Sequence, residues 1–381
     1  MQRIGFLISH PIQYYTPIFR ELAARCDLTV FFAHRQTAEQ QAQIGYGVAF
    51  DWDVDLLSGY ESRFLTNVSR QPSTSRFGGC NTPEIADRIV EGRFDAFVVP
   101  GWSLRSYWQA VRACRRLGVP VMVRGDSQLG SPRRAALRLA KELAFSQVMK
   151  FFDGYLYVGQ RNRAYLEHYG APADRLFFSP HCVDNNAFRA ASQGAGEVAG
   201  RRVLFVGRLV PYKRPFDVMT AAARLAADGR PIELTIAGAG ELEGSLRAAA
   251  QAAGLGVNFL GFVNQSRLPE VYAAAHVLVL PSGAEETWGL VVNEAMACGI
   301  PAVVSDAVGC GPDLVEPGVT GEVVPLDDVG ALAAGISRVL AFDPALTRHH
   351  LAERMKVYSP ERAAEGILQA GTALAGRTRL R

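Results

Sequence analysis

The 381-residue sequence is short of lysine: Lys141, Lys150, Lys213 and Lys356 stand against 36 arginines. Where arginine serves nearly every basic position, a lysine at a strand end marks a place for a compact point charge. Paired cysteines are missing as well. Cys26, Cys80, Cys114, Cys182, Cys298 and Cys310 are scattered with no C-x-x-C among them. That excludes a thiolate zinc site and a disulfide framework, and leaves packing as their role. No apolar run reaches the roughly 18–20 residues that span a bilayer. The opening has Arg3 before IGFLIS, but Ser9-His10-Pro11 follows without a cleavage site, so a cytoplasmic location is expected. A large charge excess is also absent: the net charge is +3, with 49% apolar and 20% charged residues. Such totals describe a soluble globular protein, and the length fits two domains.

The small net charge hides an uneven distribution. From Ser103 to Lys150 there are ten bases (Arg105, Arg112, Arg115, Arg116, Arg124, Arg133, Arg134, Arg138, Lys141, Lys150) against Asp126 and Glu142. Two readings stay open: a patch for an anionic acceptor or the inner membrane face, or a solvated helix face. No nucleic-acid-binding motif accompanies the charge, so nucleic acid is not an expected partner.

Taken in order, Ile4–Ser9 reads as a buried strand, SHPIQYY as a loop, and Thr16-Pro17 as the N-cap and first position of a helix. Leu28–Ala33 is the next strand. This opening implies a parallel α/β sheet, whose ligands bind beyond the C-terminal strand ends. His10, Gln13 and Tyr14 then stand at a site mouth. Asp51, Asp53 and Asp55 alternate as on the solvent side of an edge strand. Their D-x-D pattern has no other carboxylate or histidine cluster to support a metal. Strands follow at Phe94–Pro100, Pro120–Ser127, Tyr155–Gly159 and Arg175–Pro180, with helices from Ser103 to Gly118 and from Ser131 to Lys150. Arg189–Arg201 is small, polar and glycine-bearing, as a linker is. Strand–helix alternation then restarts from Val203. The expected architecture is two Rossmann-like domains across a cleft. Residues 1–188 would bind acceptor, 189–200 link, and 201–360 bind donor. Residues 361–381 would form a helix and basic tail packing back toward the first domain.

The chemistry concentrates in the second half. Val277–Pro301 (VLVLPSGAEETWGLVVNEAMACGIP) reads as strand, loop and helix in succession, with Glu286 in the loop and Glu294 in the helix. A helix start offers free N–H groups and partial positive charge to an anion. Gly207, Arg208 and Lys213 lie in VGRLVPYKRP after a strand, where the two cations can neutralise a diphosphate or serve as ordinary surface charge. IAGAGELEG has G-x-G-x-x-x-G spacing at Gly238, Gly240 and Gly244. It is either an approximate nucleotide fingerprint or a tight turn. Gly309 and Gly311 sit in a further strand-end loop that suits a phosphate or a plain turn.

Together GRLVPYKRP, IAGAGELE, LPEVYAAAHVLVLPS and EETWGLVVNEAMACGIPAVVS resemble the retaining, nucleotide-sugar-dependent glycosyltransferases of family 4, which have the GT-B fold. The E-x7-E spacing of Glu286 and Glu294 is the most specific element. The resemblance is strong over about residues 201–325; before that it rests on layout and on FSPHCVDNNAF. It implies a metal-independent hexosyltransferase without a cofactor. The enzyme would use a UDP- or GDP-sugar and a glycan, lipid-linked or small acceptor, in cell-surface polysaccharide synthesis. Arg208 and Lys213 would hold the diphosphate beside Gly207 and Gly238. Glu294 would take the ribose and Glu286 the transferred sugar. The Trp288-Gly289-Leu290 backbone would face sugar and phosphate, and Phe262 and Val263 would lie against the base. Two departures stand out: SHPIQYY replaces a glycine pair, and VRGDS replaces a strand-end histidine. Asp126 and His10 are the candidates for that missing catalytic or positioning group.

Rival readings make different demands. A Rossmann oxidoreductase needs G-x-G-x-x-G and an acid roughly 20 residues on. A phosphorylase-like enzyme needs a pyridoxal lysine, for which the four lysines offer no context. A catalytically silent binding subunit has no use for an intact set of Arg208, Lys213, Glu286 and Glu294.

Overall fold

The computed structural model describes residues 1–42, 47–130, 142, 144–192 and 200–378. Seven parallel strands build the first sheet: β1 (Arg3–Ile8), β2 (Asp27–Phe32), β3 (Glu61–Phe64), β4 (Ala96–Val99), β5 (Val121–Gly125), β6 (Gly154–Tyr157) and β7 (Leu176–Phe178), in the order β3-β2-β1-β4-β5-β6-β7. Six more build the second: β8 (Arg202–Val206), β9 (Glu233–Ala237), β10 (Val257–Gly261), β11 (Val277–Leu280), β12 (Ala302–Ser305) and β13 (Gly321–Val324), in the order β10-β9-β8-β11-β12-β13. Each sheet starts from its first strand, runs outward, then reverses to the other side. The reversals lie between β1 and β4 and between β8 and β11, where open α/β sheets receive ligands. The two Rossmann-like domains expected from the alternation are therefore present.

The central strands are apolar because helices cover both faces, whereas the edge strands β3 and β10 carry exposed residues. Ile4, Phe6, Leu7 and Ile8 of β1 are fully buried, as are Val277, Leu278, Val279 and Leu280 of β11. Helix Pro360–Thr378 leaves the second domain and packs on the first sheet. Its Ala363, Ala364, Ile367, Ala370 and Leu374 join Phe6, Val98, Met122 and Leu156 in one core. The approach is tight at Gly366, where a Cβ would lie 1.9 Å from the Phe178 carbonyl oxygen. The Ser179 hydroxyl also donates to the Ala363 carbonyl at 3.0 Å.

Several local expectations change. Helix Thr16–Ala23 has Tyr15 rather than Thr16 at its N-cap and starts without a side-chain cap, and the Thr16 hydroxyl donates to the Leu56 carbonyl at 3.2 Å. Asp51–Asp55 forms no strand. Arg189–Ser192 closes helix Asn185–Ser192 rather than opening the linker, while 193–199 lie outside the described residues. So do 131–141 and 143, with Arg133, Arg134, Arg138 and Lys141, and the tail from 379. Arg124 does not belong to a surface patch. It is fully buried and donates to the Ser179 hydroxyl and to the Ser179 and Pro180 carbonyls. Among the described residues no single helix is long and apolar enough to cross a membrane.

Candidate functional site

Between the domains lies a cavity of about 710 Å³, within the range of small-molecule sites. Strand-end loops of both sheets line it. Gly207, Arg208 and Lys213 follow β8, Gly238 follows β9, and Phe262 and Val263 follow β10. Glu286, Trp288, Gly289, Leu290 and Glu294 come from the segment after β11. The first domain supplies Gln13 and Tyr14 after β1, Asp126 after β5, and His181 after β7.

Lys213 is 7% exposed and its ammonium contacts the Glu286 carboxylate directly. Two charges so sheltered from water hold each other by direct attraction. The Arg208 guanidinium donates to the Tyr212 hydroxyl at 2.6 Å. Helix Leu290–Ala297 begins at Gly289, whose φ of 99° is left-handed. Glu294 sits in this helix, buried, and accepts from the Tyr272 hydroxyl at 2.7 Å. Burial pushes its carboxyl up to about 7, against the pull of Tyr272, Gln265 and Lys213. The glycine turn after β9 has a plain explanation. At Gly238, with φ of 152°, a Cβ would stand 1.9 Å from the Gly207 carbonyl oxygen, so the two loops touch backbone to backbone. This close approach accounts for the glycine without a dinucleotide fingerprint.

On the facing wall, Asp126 accepts a 2.6 Å hydrogen bond from the Thr287 hydroxyl, across the domain boundary. His181 Nε2 stands 3.9 Å from the same carboxylate oxygen. Burial, and then the Arg124 charge, hold the His181 pKa well below its ordinary value, so this imidazole is neutral at neutral pH. Its ring lies 5.5 Å from that of Trp288.

Of the residues given a donor-binding or catalytic role, all but His10 meet at this cavity, whereas the loop glycines Gly240, Gly244, Gly309 and Gly311 are not part of its lining. His10 contributes nothing to its lining. Its Nδ1 lies 2.9 Å from the Ser9 hydroxyl, and burial, helped by His34, lowers its pKa to about 4. The alternating aspartates are spent on loop contacts: Asp53 meets Ser266, and Asp55 accepts from the Leu57 and Ser58 amides. Among the described residues no group of three or more His, Cys, Asp and Glu is placed to hold a metal ion.

Sequence reasoning missed the residues that close the cleft. Gln128 donates to the Ala284 and Glu286 carbonyls at 3.2 Å. Arg161 reaches the Asp306 and Ala307 carbonyls. Asp313 accepts the Gln160 backbone N–H at 3.0 Å and so caps helix Gln160–His168 from the opposite domain. His181 stood in the FSPHCVDNNAF segment, which was the only available signal for it.

Comparison with known proteins agrees with this architecture. A D-inositol 3-phosphate glycosyltransferase of Geodermatophilus obscurus is 37% identical over 233 residues, covering 56% of this chain and 50% of that protein. The chain thus spans about half the length of that relative. The Anabaena protein Alr3699/HepE, solved with UDP, superposes with a TM-score of 0.71 at 18% identity, covering 98% of this chain and 100% of that one. Sucrose-phosphate synthase of Thermosynechococcus elongatus superposes with a TM-score of 0.69 at 20% identity, covering 99% and 100%. The chain therefore has the two-domain GT-B fold of glycosyltransferases, and its residues 194–360 match the family of glycosyl transferases group 1.

Proposed function

We propose that this protein is a retaining glycosyltransferase. It moves a hexosyl unit from a UDP- or GDP-sugar to a glycan, lipid-linked or small acceptor, and serves cell-surface polysaccharide synthesis. The observation that carries the reading is the Lys213–Glu286 pair beside Arg208, Glu294 and the start of helix Leu290–Ala297, all facing one cavity.

In the reaction, the bond between the sugar C1 and the β-phosphate oxygen breaks, and negative charge grows on the departing diphosphate. Arg208, Lys213 and the helix start are fixed positive partners for that charge. As the diphosphate takes up Lys213, the Glu286 carboxylate is freed to accept from hydroxyls of the transferred sugar. Glu294 accepts from the ribose hydroxyls. Asp126 and His181 face the donor from the acceptor side, where a hydroxyl must be placed against C1. Attack on the face the phosphate leaves, with that phosphate taking the proton, retains configuration without a protein nucleophile or a metal.

UDP, present in the Anabaena structure, is the first nucleotide to try, and a phosphorylated polyol is a natural acceptor to include beside glycans. A cytoplasmic site of action at the inner membrane face fits the exposed Arg105, Arg112, Arg115 and Arg116. The test is a thermal-shift panel of UDP, GDP and NAD, followed by a donor screen with the product anomer read by NMR. Glu286→Ala should abolish transfer while nucleotide binding persists. A panel in which no nucleoside diphosphate raises the melting temperature rejects the reading, and an inverted product rejects retention.

A further inference from the structure

The segment Phe50–Leu56 joins the two domains by contacts that a surface loop does not need. The Asn264 amide donates to the Asp51 carbonyl at 2.8 Å. The Ser266 backbone N–H donates to one Asp53 carboxylate oxygen at 3.0 Å, and its hydroxyl to the other at 2.5 Å. Phe50 packs on Phe262 with ring centroids 4.2 Å apart, and Trp52 stands edge-on to Phe50 at 4.9 Å. Trp52 and Val54 also line the interdomain cavity, as do Phe262 and Val263.

Sheet order tells which end of the cavity this is. Phe262 and Val263 follow the edge strand β10, whereas Glu286 follows β11. Three strand spacings separate β10 from β11, about 14 Å at ~4.8 Å each. Arg208 and Lys213, after β8, lie between. The cavity thus runs from an aromatic, apolar end through a cationic middle to a carboxylate end. A nucleoside diphosphate sugar has the same polarity: a flat base, an anionic diphosphate and a hydroxylated ring.

We infer that Phe50–Leu56 is a strap, contributed by the first domain, that forms the second wall of the nucleoside subsite, with Trp52 and Val54 bounding the space for the base and the Asp53–Ser266 bonds holding the strap shut. The inference rests on the nucleotide-sugar reading above and adds to it a base-discriminating element outside the donor domain. Base size is then read by the closed form of the two domains together. The second domain by itself lacks that wall.

Calorimetric titration of the full chain with UDP, GDP and inorganic pyrophosphate tests this, in the wild type and in Ser266→Ala, Asp53→Asn and Trp52→Ala. Pyrophosphate reports on Arg208 and Lys213 without touching the strap. Ser266 is exposed, so Ser266→Ala leaves the core intact. The expected result is a loss of roughly five- to tenfold in affinity for the preferred nucleoside diphosphate in Ser266→Ala and Asp53→Asn, the scale of one or two lost hydrogen bonds. Pyrophosphate affinity should stay unchanged, and Trp52→Ala should narrow the UDP/GDP ratio. Wild-type nucleotide binding that the variants reproduce overturns the strap and leaves the donor reading standing. Equal weakening of pyrophosphate and nucleotide also overturns it, because that reports general damage. A wild type that binds no nucleoside diphosphate overturns the donor reading and the strap with it.

Discussion

Replacing Glu294 by glutamine isolates the cost of keeping a carboxylate ready in the donor site. Burial raises the Glu294 carboxyl from its ordinary 4.5 to about 7. In the unfolded chain the same group ionises near 4.5. Between these values the folded molecule holds a proton that the unfolded one has released. Stability therefore falls as pH rises through that window, and the full penalty is present above about 7. At about 1.4 kcal/mol per pH unit, the penalty is about 3 kcal/mol. Glutamine keeps the shape and the oxygen that accepts from Tyr272, but never ionises. Glu294→Gln should accordingly be more stable than the wild type at pH 8, by up to ~3 kcal/mol, and nearly equal to it at pH 4.5. The gain is accompanied by weaker nucleotide binding, the usual exchange where a strained site serves function. Urea unfolding of both proteins without nucleotide, from pH 4.5 to 8.5, measures the difference directly. A stability difference independent of pH would refute the reasoning, because it would mean that this carboxylate ionises alike in both states.

Lys213→Met leaves the Glu286 carboxylate without its cation; stability should drop by about 3 kcal/mol, and the double variant with Glu286→Gln should recover much of the loss in urea melts. Lys213→Met should also cost most of the pyrophosphate affinity in calorimetry, and unaltered binding would remove the lysine from the anion site. Gly366→Ala should destabilise by roughly 1–3 kcal/mol, since its methyl group meets the Phe178 carbonyl; a chemical melt within error of wild type would contradict that packing. Asp313→Ala removes the cap that one domain places on helix Gln160–His168 of the other, so small-angle scattering should show a larger radius of gyration in the unliganded protein; identical curves would show that the cap does not govern closure.

How far the site could be read from the chain depended on the distance between partners. Arg208 and Lys213 share one loop, and Glu286 and Glu294 one strand–loop–helix, so spacing alone brought each pair together. The alternation of apolar strands and helices likewise disclosed both sheets except the edge strand β3, because the inner residues of β1, β8 and β11 are apolar to lie between helical layers, whereas Glu61–Phe64 has no such run. The facing wall was different. Thr287 meets Asp126 across 161 positions, and Ser266 meets Asp53 across 213. No periodicity records how two domains close on each other. The aspartates at 51, 53 and 55 mimicked an edge strand because alternation marks any segment whose side chains take opposite sides. Arg124 joined a basic patch on paper because composition does not distinguish an exposed guanidinium from one buried under the Ser179 and Pro180 carbonyls. His10 and His181 both sat in strand-end loops, and only their surroundings separate them.

The return of helix Pro360–Thr378 to the first sheet has a consequence for the order of events during synthesis. Residues 1–188 are made first, yet the face of their sheet that helix Thr16–Ala23 shares with the last helix stays only partly covered until Ala363 to Leu374 leave the ribosome. The nascent first domain must wait, partly wet, through the making and folding of the second. An uninterrupted second domain can meanwhile form as it emerges and present the last helix to its destination. Assembly in the cell thus runs against the direction of translation: the half made later is the half completed earlier.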